Sequence, residues 1–173
     1  MQDAAEPGAS ETAVGEITGG LAPEHAARRR WMSVLAKASA AELERAIAAM
    51  RDKLGDLPGY RLIRRPEVGM TMVRARVGGT GRAFNLGEMT MTRCTLRTDD
   101  DLVGTSYVAG RSRRHAELAA LFDALLQDPA RQPQVMALVI DPLGRGQELH
   151  RNRRVERSAP TRVDFFTVVR GED

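Results

Sequence analysis

Cysteine is nearly absent: Cys94 stands alone, so no disulfide framework and no cysteine-based zinc or iron–sulfur site can form within this chain. Histidine is scarce as well. His25, His115 and His150 lie in separate segments, with no His-x-x-x-His or Glu-x-x-His pairing, which argues against a metal site made by this chain alone. Aromatics are 4% of the residues, one Trp, two Tyr and four Phe. None is interleaved with the basic stretch 150–157, so stacking on nucleic-acid bases has no support and no nucleic-acid partner is expected. No apolar run approaches the ~20 residues of a membrane span. The first residues lack the basic-then-apolar order of a secretory signal. A cytoplasmic protein is expected. Ser33, Ser106 and Ser112 lack the Gly-x-Ser-x-Gly elbow of a nucleophilic serine. Lysine is rare: of 26 basic residues, only Lys37 and Lys53 are Lys and 24 are Arg. That ratio reads either as a coding-sequence bias or as a surface selected for bidentate anion contacts.

What remains is enough for one domain. The chain has 173 residues, 42% apolar, with a net charge of +3 and a pI near 9.6. A chain of this size buries roughly 70% of its surface on folding. Residues 1–22 are mostly Gly, Ala, Glu and Thr with hardly an apolar anchor, and read as a mobile N-terminal extension. Residues 23–173 read as a single α+β domain.

Trp31, Val34, Leu35 and Ala38 recur at helical spacing and predict a helix over 23–38. Ser39-Ala-Ala-Glu42 is a capping box that starts a second helix, with Leu43, Ile47, Met50 and Leu54 as its buried stripe and Gly55 as its stop. The period then changes to two. Strands are predicted over 60–65 and 70–77, separated by Pro66 to Gly69, then over 84–97 and 102–109. Ser112 caps a helix over 113–127. Residues 134–140 are ambiguous. Asp141-Pro142 reads as an N-cap followed by Pro at the first helical position, opening a helix to about 156. A Val- and Phe-rich strand over 161–170 ends the chain. The expected fold is therefore α+β: two N-terminal helices, a mostly antiparallel sheet of about five strands with further helices packed on it, and a C-terminal strand.

If the hairpin turns between Thr80 and Gly81, Met70 opposes Met91 and Met72 opposes Met89. Both sheet faces then carry apolar residues. Either helices cover both faces, or a second protein covers one. Methionine suits adaptable contact surfaces, so a partner interface is expected at Met70, Met72, Met89 and Met91, together with Trp31, Phe165 and Phe166. Arg76-Val-Gly-Gly-Thr-Gly-Arg82 is either a plain hairpin turn or a nest of amides flanked by Arg for an anion. It lacks P-loop spacing. Gly110-Arg-Ser-Arg-Arg-His115 opens a helix, either as a solvated entry or as an anion site. Spacing alone yields no self-contained active site.

Four stretches together resemble one family: Arg30-Trp-Met-Ser-Val-Leu-Ala36, Arg74-Ala-Arg-Val-Gly-Gly-Thr-Gly81, Tyr107-Val-Ala-Gly-Arg-Ser-Arg-Arg-His-Ala-Glu117 continuing to Leu121-Phe-Asp-Ala-Leu125, and Arg162-Val-Asp-Phe-Phe-Thr-Val-Val-Arg-Gly171. In this order they are similar to the PhnG family, the G subunit of the bacterial carbon–phosphorus lyase core complex. The resemblance implies work in an assembly with H, I and J subunits and an ATPase-like L subunit, the I subunit being the direct contact. It implies displacement of adenine from ATP by an alkylphosphonate, so that phosphonate phosphorus becomes usable. It implies that the iron–sulfur cluster, S-adenosylmethionine and metal belong to other subunits, with no cofactor bound by this chain alone and no catalytic residue assigned to it. Triphosphate clamps at a subunit interface are what this chain could supply. The candidates are Arg74, Arg76, Gly78, Gly79, Gly81, Arg82, Arg111, Arg114, Arg162 and Arg170, with His115 as a proton donor.

Overall fold

A computed structural model describes residues 23–77 and 81–158. The predicted strand over 161–170, the extension 1–22 and the turn residues Gly78 and Gly79 lie outside the described residues. So do the candidates Arg162, Phe165, Phe166 and Arg170.

The chain begins with α1 (Pro23–Lys37) and α2 (Ala40–Leu54). The capping box that separates them is present: Glu42 N–H donates to the Ser39 hydroxyl, and Ser39 N–H donates to the Glu42 carboxylate. The Ser39 N–H and the Ser39 hydroxyl both donate to the Glu42 carboxylate and hold it below its usual range. Gly55, at φ 79°, ends α2 as expected.

Three strands follow, in the order β1-β2-β3, all antiparallel: β1 (Tyr60–Arg76), β2 (Ala83–Thr98) and β3 (Val103–Ala109). The four expected strands that fall on described residues are thus three. The expected pair over 60–65 and 70–77 is one long strand running through Pro66. The physical reason is position. Among the described residues β1 is at the sheet edge, where the missing proline N–H costs no ladder bond, and two register shifts between Leu62 and Glu67 absorb the ring.

The expected register is one residue out. Met70 pairs with Thr90 and Met72 with Glu88, whereas Gly69 pairs with Met91 and Thr71 with Met89. A register shift between Val73 and Arg74 leaves Leu86 unpaired on β2 and exchanges the faces. Met70 and Met72 therefore lie on the face of Thr90, and Met89 and Met91 lie on the other.

α3 (Arg113–Leu125) packs on one face of the sheet, over Thr92, Cys94, Leu96, Ser106 and Val108. α1 and α2 cover it from outside, so α3 is buried on nearly all sides. Ser112 caps it as expected.

The last helical rod is unbroken: α4 (Gln132–Val135), a π-helical turn (Met136–Ile140) and α5 (Asp141–Ser158). Asp141 is helical and caps nothing, contrary to the expected N-cap. The π turn widens the rod just before Pro142, relieving the clash its ring would make with the carbonyl four residues earlier.

Candidate functional site

Beyond β3 the sheet narrows to a two-stranded arm. β2 pairs with β3 only from Met91 onward, so Ala83–Thr90 pairs with β1 alone. At about 3.4 Å per residue the arm is roughly 27 Å long. Its apolar side chains meet solvent: Met70 is 72% exposed, Leu86 65%, and Met72, Val77, Phe84 and Met89 are also exposed. The four methionines expected at an interface are on this arm or at its root, though on opposite faces. At the root lies a cleft of about 340 Å³ lined by Glu67, Gly69, Met70, Met91, Arg93 and Tyr107. Glu67 accepts from both Arg64 and Arg93, and these bonds hold its carboxyl below the usual range.

The arginines expected to clamp an anion fall into two groups. Arg74, Arg76 and Arg82 surround the arm tip, where Arg76 donates to the Gly81 carbonyl. Arg111 and Arg114 sit at the start of α3. Gly110 N–H donates to Thr90 O at the arm root, so Arg111 stands there. From Thr90 to Ala83 is roughly 24 Å along β2. One chain therefore does not bring both groups onto a single triphosphate. Arg114 is already engaged: it donates to Glu44 at 3.0 Å and lies 3.9 Å from Glu117, and the Glu44 bond raises its pKa further. Glu117 also accepts from the Tyr60 hydroxyl at 2.5 Å. Burial and this bond push the Tyr60 pKa up.

Two expected site residues are structural instead. His115 is buried, with its Nε2 at 2.8 Å from the Leu35 carbonyl. That contact ties α3 to α1, so the buried ring serves the packing of the two helices. Trp31 is 5% exposed and donates to Asp123 at 3.0 Å, so it belongs to the core and not to a partner surface. Helical spacing had already put Trp31 on the core face. Its Asp123 partner is 92 residues away, and no local signal announces it.

Cys94 is buried, as a mid-strand cysteine should be. Burial pushes its thiol up to about 11, with the nearby Glu117 charge adding to the shift. The folded chain thus holds the thiol proton more tightly than the unfolded chain. That preference contributes stability below the unfolded pKa, near 9, and is lost as pH rises toward 11. Thiol reagents at pH 8 are expected to label Cys94 only once denaturant opens the fold; rapid labelling without denaturant would contradict its burial. Among the described residues, no group of three His, Cys, Asp or Glu comes together as a metal site, and no helix is long and apolar enough to cross a membrane.

The family model for phosphonate metabolism protein PhnG matches residues 26–171. The chain belongs to the PhnG family. A PhnG relative from Rhizobium meliloti (strain 1021), named alpha-D-ribose 1-methylphosphonate 5-triphosphate synthase subunit PhnG, is 44% identical over 148 residues. That alignment spans 86% of this chain and 92% of the relative. Two of the stretches that carry the PhnG resemblance meet in space, since Trp31 of the first bonds Asp123 of the third. The PhnG motif at Tyr107–Glu117 runs from β3 through the Ser112 cap into α3, beside the arm root.

Proposed function

We propose that this chain is the G subunit of an alpha-D-ribose 1-methylphosphonate 5-triphosphate synthase serving phosphonate catabolism in the cytoplasm. The 44% identity over nearly the whole relative carries this reading. In it, the chain acts with H, I and L subunits and touches the I subunit directly, the J subunit completing the core. An alkylphosphonate oxygen forms a bond to C1 of the ribose of ATP, the C1–N bond breaks, and adenine leaves with a proton. The iron–sulfur cluster, S-adenosylmethionine and metal of the later cleavage step sit on other subunits.

This chain's part is binding and assembly. Arg74, Arg76 and Arg82 at the arm tip, or Arg111 at its root, neutralise phosphate charge where another subunit completes the site. Adenine release by the assembled complex tests this. Arg76→Ala, which leaves Arg74 and Arg82 in place on the arm, and Arg111→Ala should each still assemble, and at least one should release adenine about 10-fold to 100-fold more slowly. Normal assembly with normal rates in both would remove the clamp. Loss of assembly in both would make the chain a scaffold whose arginines pair with carboxylates of a neighbour.

A further inference from the structure

Among the described residues the β3 edge is sealed, while β1 and the arm part of β2 are each paired on one side only. On β3, Thr105 N–H donates to Asp123 at 2.9 Å and the Val103 carbonyl accepts from Gln127 at 2.8 Å, so side chains of α3 and of the turn after it cover that edge. β1 pairs only with β2 among the described residues. Pro66 and the bulges protect its first half. Val68–Arg76 has no proline, and it presents a long run of backbone donors and acceptors beside exposed Met70 and Met72. A two-stranded ribbon of this length is marginal in water without a third strand or a cover.

Gly69 marks the place. It lies mid-strand opposite Met91, where glycine weakens a strand, and a Cβ there would meet nothing within 4 Å. The space belongs to the cleft between Met91, Tyr107 and Met70, large enough for a side chain to enter. The charge is one-sided. Residues 69–90 carry Arg74, Arg76 and Arg82 against Glu88 alone.

We propose that the β1 edge from Val68 to Arg76 takes up an extended segment of another subunit of the complex. The segment pairs as a fourth strand, seats an apolar side chain over Gly69, and presents carboxylates to the arm arginines. This rests on the reading of the chain as a complex subunit.

The test is co-expression of the full chain with the H, I and J subunits, using Gly69→Leu to fill the cleft and Met70→Glu to oppose an acidic partner. Among the described residues neither site is packed against a neighbour, and leucine suits a strand better than glycine, so both variants should fold. Each should retain at least 10-fold less partner than the wild-type chain. Amides of Val68–Arg76 should gain hydrogen-exchange protection only in the wild-type complex. Full partner retention by both variants overturns this inference and leaves the proposed function standing. A wild-type chain that purifies without partners overturns both. A homodimer protected along β1 assigns the edge to a second copy and overturns the proposal.

Discussion

Replacing Asp123 by Ala is expected to cost about 3–5 kcal/mol, a large share of the margin of an ordinary domain. Asp123 is 0% exposed. Its carboxylate accepts from Arg28 Nε at 3.1 Å and Nη2 at 2.7 Å, from Trp31 Nε1 at 3.0 Å, and from Thr105 N–H at 2.9 Å. These donors come from α1 and β3, so one side chain on α3 joins three elements. Alanine would leave an indole N–H and a backbone N–H buried without partners, and Arg28 without its counter-ion. It would also unseal the β3 edge. Asp123→Asn keeps the volume but turns an amide NH2 toward at least one donor, and should cost less. Urea midpoints of the three proteins give the ranking. An Ala variant within about 1 kcal/mol of wild type would mean the network is not holding α1 to the sheet.

That network also shows where sequence reasoning stops. Ser39 with Glu42, and Ser112 before α3, are legible because a cap acts within a few residues. The hairpin was legible as alternation between glycines. Its register was not, because a bulge at Leu86 leaves no clear mark in the pattern, and a single slip exchanges Met70 and Met72 for Met89 and Met91 on a given face. Pro66 reads as a stop in sequence because the rule for proline depends on whether a strand is central or at an edge, and strand order is a tertiary fact. Asp141-Pro142 failed similarly: the π turn before it removes the steric conflict that makes such a pair a helix start. Among the site candidates, Arg density pointed to the arm tip and the α3 entry. Only the structure shows that Arg114 is held by Glu44, that His115 is spent on Leu35, and that Trp31 faces inward.

Gly104→Ala should be as damaging as the loss of Asp123, for a steric reason. A Cβ on Gly104 would lie 1.9 Å from the Ala120 carbonyl oxygen, 2.8 Å from Ala124 N and 2.9 Å from Ala124 Cβ. The first two obstacles are backbone, so no rotamer change relieves them. α3 would have to back away from β3 along a buried interface, at a cost of about 3 kcal/mol or more. The same displacement would stretch the Asp123 bond to Thr105 and the Ser106 hydroxyl bond to the Ala116 carbonyl, at 2.6 Å, so the strain spreads into the network. Gly146→Ala on α5 is the counter-experiment. Its Cβ would meet nothing within 4 Å, and alanine is the better helix former by roughly 0.5–1 kcal/mol. Melting temperatures should therefore move in opposite directions. Two Gly-to-Ala changes of opposite sign cannot be explained by composition or by unfolded-chain entropy alone. They would tie stability to the close approach of α3 that carries Asp123 to the β3 edge.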